Sequence, residues 1–565
     1  MESVSLFRNV VDFSDGKSEN RDTVDLVARR CRTEPFKRAE QLTAVLLFLT
    51  ILFLLIVRAT HAGGLWRDEC GALQLARMSS FAEISRNFTH EAFPLLFPAT
   101  IRGYTNIFGQ SDAALRVFGV AVGVLFLCTL WFNSVLNGKG VPLLSLALVG
   151  LSTTFLTWGP SLRGYGLGSV LITLAFALIV QLVREPTPLR ATAACLAGLA
   201  SVHCLLHNAV LLLAVIISAV IVCFVGGHRR RTFGILAITL VCGISLLPYV
   251  EAYSNASAWN IVVKSTTTVP FLWRQLNSAF GNPTAILAWI WHIALLTLIG
   301  GGAWQLYATR RNRRAPEWSL GLFGVIVSVS ALIGYYCFLQ TLSYTARPWY
   351  YLALIALLGV ALDLSADVFS KIAWVRIGRL SIAVLALVTL PFFSWPKITE
   401  RQTNIDIIAK GLEQNAGPKD LIVVSPWQFG VSFSWYYHGP TPWLTVPEIA
   451  DHQVHRYDLL KTRMLSPDPI GAPLDSIRRT LKAGNRVWFV GGIRVLREGE
   501  TPLTLPPAPN SKFGWDNVAY SDSWRQQLGI FIQAHAARAQ RIPISVESVN
   551  NLEKVSLAVA QGWRD

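Results

Sequence analysis

Leu42-Thr-Ala-Val-Leu-Leu-Phe-Leu-Thr-Ile-Leu-Phe-Leu-Leu-Ile-Val57 is an unbroken run without a charge, and Gly64-Leu-Trp-Arg-Asp-Glu-Cys-Gly-Ala-Leu73 follows within one turn or two. A hydrocarbon layer about 30 Å thick takes about 20 helical residues, so the first stretch with its flanks reads as a membrane span. Asp68 and Glu69 therefore stand just outside the lipid. An acid pair there argues for chemistry at the lipid–water boundary.

Working outward, ten further apolar runs have the same character: Val117 to Val135, Val141 to Trp158, Leu167 to Val183, Ala191 to Leu205, Val210 to Val225, Phe233 to Tyr249, Ala285 to Leu306, Leu320 to Leu339, Trp349 to Leu362 and Leu380 to Phe393. The fold class is thus an α-helical polytopic membrane protein with about eleven transmembrane helices. Ala191 to Val225 reads as two short spans or one long tilted one. Two spans put Arg29, Arg30, Arg32, Lys37, Arg38, Lys139, Arg184, Arg190, Arg229 to Arg231, Arg310 to Arg314 and Lys371 to Arg379 on one side, which the positive-inside bias makes cytoplasmic. We take two. Residues 1–41 then form a cytoplasmic tail, 42–395 the membrane domain, and 396–565 an extracytoplasmic domain. In that last part, apolar runs at 420–426 and 486–492 alternate with helical periodicity at 404–414, 473–483 and 521–540, predicting a small α/β domain.

The 565 residues are 52% hydrophobic and 15% charged, against roughly 25% charged in soluble domains, with a mean hydropathy of +0.43. The net charge of +16 sits largely in the cytoplasmic turns, where it sets topology, and is no nucleic-acid signal. Six of the eight cysteines lie within or beside apolar runs and none follows residue 395, so a disulfide framework is not expected. The multi-pass body, N-terminus inside, belongs to a cytoplasmic (inner) membrane.

The outward loops collect on one surface. Thr60 to Asp112 is long and apolar on one face, the pattern of interfacial helices. The same side receives Arg163 and Tyr165, the His203 to Asn208 hairpin, Lys264 and Arg274, and Arg347 with Tyr350 and Tyr351. Acids, arginines and aromatics converging beside lipid suit an anionic headgroup on a lipid tail together with a polyhydroxylated ligand.

These residues resemble a family. The Asp68-Glu69 pair, the His90-Glu-Ala-Phe-Pro94 segment, Ile107-Phe-Gly-Gln-Ser-Asp-Ala-Ala-Leu-Arg-Val-Phe-Gly119, Leu162-Arg-Gly-Tyr165, the His203 to Asn208 hairpin and Arg347-Pro-Trp-Tyr350 look like the C-superfamily membrane glycosyltransferases of the protein O-mannosyltransferase and lipid A aminoarabinose transferase type, closest to a bacterial galacturonosyltransferase-like branch. The resemblance implies an inverting transferase that moves a sugar from a polyprenyl-phosphate donor to an envelope acceptor: lipid A, lipopolysaccharide, another glycan or a protein. Two departures stand out: His-Glu-Ala-Phe-Pro where His-Pro-Pro is usual, and Pro-Trp between Arg347 and Tyr350.

Such chemistry needs a base for the acceptor hydroxyl and cations for the departing phosphate. Asp68 is the candidate base, with Glu69 and Glu91 as further catalytic acids; Asp68 and Glu69 are the ligands of any divalent cation. An acid pair at a helix start also suits the helix dipole. Arg163, Tyr165, Lys264, Arg274 and Arg347 are candidates for the donor phosphate, and His90, His203, His207 and Tyr350 for donor or acceptor contact. A rival reading is a lipid-linked sugar carrier without chemistry, which would place charges deep in the spans.

Overall fold

The computed structural model describes residues 16–138, 140–308, 316–497, 499–544 and 548–565. The first helix, α1 (Gly16–His61), enters the apolar layer at Phe36. Three shorter helices follow, α2 (Arg67–Ala76), α3 (Phe81–Glu91) and α4 (Leu96–Phe108), and then α5 (Asp112–Asn137). Seven of the ten residues of α2 are buried, so it is a core element and not a helix lying in the interface plane. Gln74 Nε2 donates to the carbonyl of Val431 at 3.2 Å, and α2 is thereby clasped between the membrane helices and the C-terminal domain.

The run from Val141 to Trp158 is not one span. It breaks into α6 (Leu143–Ser145), a π turn over Leu146–Gly150 and α7 (Thr153–Trp158), all buried. Asp363 accepts from the N–H groups of Leu144 and Ser145 at 2.9 and 3.0 Å, satisfying the open donors of this broken start. Ser152 accepts from Phe155 N at 3.2 Å and restarts the helix.

The ambiguous Ala191 to Val225 stretch forms two helices. After α8 (Gly164–Arg184), α9 (Pro188–Cys204) returns, and α10 (Asn208–Val225) departs again. Asn208 Nδ2 reaches Gly168 O at 2.8 Å, joining the starts of α10 and α8, and Arg231 Nη1 reaches Val183 O at 2.9 Å, joining the start of α11 (Arg229–Ile244) to the end of α8. The four helices therefore run up and down in turn. Arg184, Arg190 and Arg229 to Arg231 share one end; Lys139 and Arg310 to Arg314 lie outside the described residues.

Next, α11 bends by 49° into α12 (Tyr249–Asn260), then come α13 (Val269–Gly281), α14 (Ala285–Ala308), α15 (Pro316–Leu342), a 3-10 turn at Pro348–Tyr351, α16 (Leu352–Val368) and α17 (Ala373–Ile398). Among the described residues eight helices are long and apolar enough to cross a membrane, nine counting the bent pair. The eleven expected runs are largely helical; the shortfall lies in the broken Val141 to Trp158 segment, in α9, which has 17 residues, and in α11, which qualifies only together with α12.

Beyond Ile398 the chain forms an α/β unit: α18 (Ile405–Asn415), β1 (Leu421–Ser425), α19 (Phe429–Tyr436), β2 (Trp443–Thr445), α20 (Tyr457–Leu465), α21 (Gly471–Lys482), β3 (Val487–Gly491), α22 (Asn517–His535), β4 (Ala536–Ile542) and β5 (Leu557–Trp563). The sheet order is β2-β1-β3-β5-β4, with β1 parallel to β2 and β3 and the last two strands antiparallel. Helical periodicity read to residue 540 ends at His535, because β4 takes over. This unit docks through buried Glu553, which accepts from Arg67 N at 2.8 Å, Thr403 Oγ1 at 3.1 Å and Ser432 Oγ at 2.6 Å.

Candidate active site

Asp68 lies in the first turn of α2, where the chain has just left α1. Its carboxylate is 23% exposed, and among the described residues it makes no hydrogen bond. Three cationic groups stand off it instead: Arg67 Nε at 3.6 Å, His455 Nε2 at 3.7 Å and Arg163 Nη2 at 3.9 Å. Burial alone would raise the Asp68 carboxyl, but the charges of Arg163, Arg67, His455 and Arg347 outweigh it and hold the group below its usual value. It stays ionised and open to a proton donor.

Glu69 sits one residue on, about 100° around the helix, and points the other way. It is fully buried, accepting from Arg116 Nη1 at 3.1 and 3.2 Å and from Leu162 N at 2.9 Å. Arg116 in turn donates to the carbonyls of Gly63 and Gly64. Glu69 therefore pins α2 to α5 and to the 159–163 turn, and does not line the cleft. A cation shared by Asp68 and Glu69, expected from their adjacency, has no geometric basis, and the positive surroundings of Asp68 repel one further.

Glu91, at the end of α3, is the hub behind Asp68. Its Oε2 accepts from Arg163 Nη1 at 2.9 Å and its Oε1 from His455 Nδ1 at 2.7 Å and His455 N at 3.2 Å. Arg163 also donates to the carbonyl of Asp68 at 2.8 Å and lies over the Phe93 ring at 4.4 Å. Burial opposes the His455 imidazolium, but Glu91 and then Asp68 more than offset it, so His455 titrates above its ordinary value.

The cleft around these groups measures about 320 Å³ and is closed on one side by the membrane domain and on the other by Gln428, His455, Tyr457, Asn517 and Leu552. Arg347 is exposed on its wall, and its guanidinium makes no ion pair or hydrogen bond among the described residues. His90 stacks on Trp259 with centroids 4.9 Å apart, and Trp259 on Tyr457 at 6.1 Å. Buried polar atoms of four lining residues lack a partner: Trp66 Nε1, His90 Nδ1, Arg163 Nε and Gln428 Oε1. Unpaired buried donors and acceptors are costly, and these four lie in residues that line one cleft.

Of the residues expected from sequence, Asp68, His90, Glu91, Arg163, Arg347 and Tyr350 meet in this cleft. Tyr165 lies behind it, its ring 5.8 Å from that of Tyr350. The others do not line it. His203 spends both ring nitrogens on Tyr249 Oη at 2.8 Å and Ser245 Oγ at 3.0 Å; His207 is held by Tyr335 Oη at 3.2 Å; Lys264 is exposed beside the cleft; Arg274 lines a separate groove. His455 went unread in the sequence although it lies in Asp451-His-Gln-Val-His-Arg-Tyr-Asp458, where six of eight side chains are titratable.

No family model matches the sequence, and neither does any curated protein. Among solved structures the chain is similar to ArnT from Cupriavidus metallidurans bound to undecaprenyl phosphate, at 13% identity and a TM-score of 0.44, over 79% of this chain and 92% of that one. It is similar to an oligosaccharyltransferase from Archaeoglobus fulgidus in complex with Zn and sulfate, at 12% identity and a TM-score of 0.49, over 79% and 67%. A third is the arabinosyltransferase EmbB from Mycobacterium smegmatis, at 14% identity and a TM-score of 0.36, over 57% of this chain and 30% of that one. At such identities and scores a likeness carries nothing about substrate or residue roles.

Proposed function

We propose that this chain is an integral membrane glycosyltransferase that moves a sugar from a polyprenyl-phosphate donor to an envelope acceptor, on the extracytoplasmic face and with inversion. One observation carries the reading: at the lipid edge of a cleft shaped for a polar ligand, Asp68 is a carboxylate kept ionised yet free of hydrogen bonds. A hydroxyl of the acceptor attacks the anomeric carbon as the bond to the phosphate oxygen breaks; its proton passes to Asp68, and the electron pair leaves on the phosphate. The phosphate gains charge as it departs, and Arg347, uncommitted on the same wall, is the group to meet it.

Arg163 has a different part from the phosphate clamp expected of it. With Glu91 it fixes the Asp68 backbone and faces its carboxylate, so it positions the base. His455 holds the other side of Asp68 and is tied by Glu91 in the orientation that turns Nε2 to the carboxylate. The extracytoplasmic placement is supported by the positive-inside bias, since Arg184, Arg190 and Arg229 to Arg231 lie at the end of the helices away from the cleft.

The test is sugar transfer in membranes carrying radiolabelled polyprenyl-phosphate sugars, with lipid A and total envelope glycans as acceptors. Wild type should transfer from one donor, and Asp68→Asn should not, while inserting normally. Full activity in Asp68→Asn removes the base; release of intact lipid-linked sugar across the bilayer without transfer replaces the transferase by a carrier.

A further inference from the structure

Arg274, set apart from the cleft, belongs to a second site. A groove of about 700 Å³ runs between the amphipathic α13 and the first half of α14. Trp273 and Trp289 are 52% and 69% exposed on its walls, and Leu296 continues it along the span. Its polar lining residues are Arg274, Asn277, Ser278, Asn282 and His292, and Arg274, Asn277 and His292 bear on what it holds.

Two of these are unsatisfied. Asn277 Oδ1 and His292 Nε2 are both buried without a hydrogen-bond partner, while the other ring nitrogen of His292 is taken by the Ala288 carbonyl at 2.6 Å. His292 lies seven residues into α14, about 10 Å along its axis, where water is scarce and an unpaired polar atom costs most. The Arg274 side chain is exposed at the groove and has no ion pair or hydrogen bond among the described residues. Along α14, Trp289 comes first, His292 one turn further and Leu296 another turn on, with Arg274 and Asn277 facing them from α13.

We infer that this groove binds one anionic phospholipid of the bilayer, its phosphate on Arg274, its glycerol and ester oxygens on Asn277 and His292, and an acyl chain along Leu296. The inference is independent of the transferase reading. Exposed Arg with flanking Trp would by itself be an interfacial belt; the two unpaired buried atoms below it are what a belt does not require.

Native mass spectrometry of the full chain, released from nanodiscs containing equal dioleoyl phosphatidylglycerol and dioleoyl phosphatidylcholine, tests it. Wild type should retain one phosphatidylglycerol in preference to phosphatidylcholine. Arg274→Gln should weaken that retention about ten-fold, the loss expected for one charge-assisted hydrogen bond, and Asn277→Leu should weaken it without altering expression. Equal retention of the two lipids, or selectivity unchanged in both variants, overturns the site. Replacement of the bound lipid by equimolar undecaprenyl phosphate, without selectivity for phosphatidylglycerol, also overturns it and assigns the groove to a donor lipid.

Discussion

Two carboxylate–arginine clusters lie at opposite ends of the helices, and they are built on opposite rules. At the basic end, Glu40 accepts from Arg376 at 2.8 and 3.2 Å and from Arg379 at 2.9 Å, Arg379 passes on to Asp367 at 2.7 Å, and Asp367 accepts from Gly140 N at 3.2 Å. Every charge there is tied and almost wholly buried. At the cleft end, Glu91 is tied as tightly, but Asp68 has cations only at 3.6 to 3.9 Å and Arg347 has no partner among the described residues. A cluster that serves the fold closes its valences. The cleft leaves one anion and one cation open and uses its closed members to aim them.

Breaking the open anion should have the largest effect on chemistry. Asp68→Asn should lower transfer by about 10²–10⁴-fold, the usual worth of a general base, with thermal stability in detergent nearly unchanged. Breaking the closed cluster should do the reverse. Glu40→Ala strands the buried Arg376 guanidinium and leaves Arg379 with Asp367 alone, and should cost about 3–5 kcal/mol of stability, read as an earlier loss of fold on heating, while protein that remains folded keeps its turnover. If Glu40→Ala lost turnover without losing stability, the contrast between the two ends would collapse.

Arg347→Lys sharpens the comparison from the cation's side. It keeps the charge and loses the fork, so donor affinity should fall about ten-fold, less than for Arg347→Ala, measured by competition with unlabelled polyprenyl phosphate.

The smallest effect is in the pH profile. Asp68 is held below its usual value, so the acid limb of the rate should lie below the ordinary carboxylate range near 3.9. His455 is raised above about 6.5 by Glu91 and Asp68 against burial and Arg67. Its imidazolium pairing is therefore complete below the unfolded value and lost as pH climbs through the folded one. Activity should decline on that alkaline side, and His455→Gln should flatten the decline. An alkaline limb unchanged in His455→Gln would take His455 out of the site's electrostatics.

Much of this was legible in the chain because hydropathy is additive and local. Nine of the eleven apolar runs form essentially unbroken helix, Val141 to Trp158 and Phe233 to Tyr249 being interrupted, and the two-span reading of Ala191 to Val225 followed from charge bias alone. What hydropathy misses is a break sealed inside the protein: Leu146–Gly150 is as apolar as any span, and the groups that flank the break are Ser152 and Asp363, the latter more than two hundred residues on. The acid pair was found, but adjacency in sequence is divergence on a helix, and the pair split into Asp68 at the cleft and Glu69 in the core. His455 was missed because it joins Glu91 across 364 residues of chain, a distance over which sequence spacing says nothing. Arg274 and His203 reached the right end of the molecule and the wrong partners, since topology selects a side and only packing selects a neighbour.

That long separation has a consequence in time. At about 5–20 residues per second, a ribosome that has placed Glu91 takes roughly 20–70 s to deliver His455. Until then the cleft lacks the wall formed by Gln428, His455, Tyr457, Asn517 and Leu552. The site is complete only once the α/β unit, about the last three-tenths of the chain, has been made.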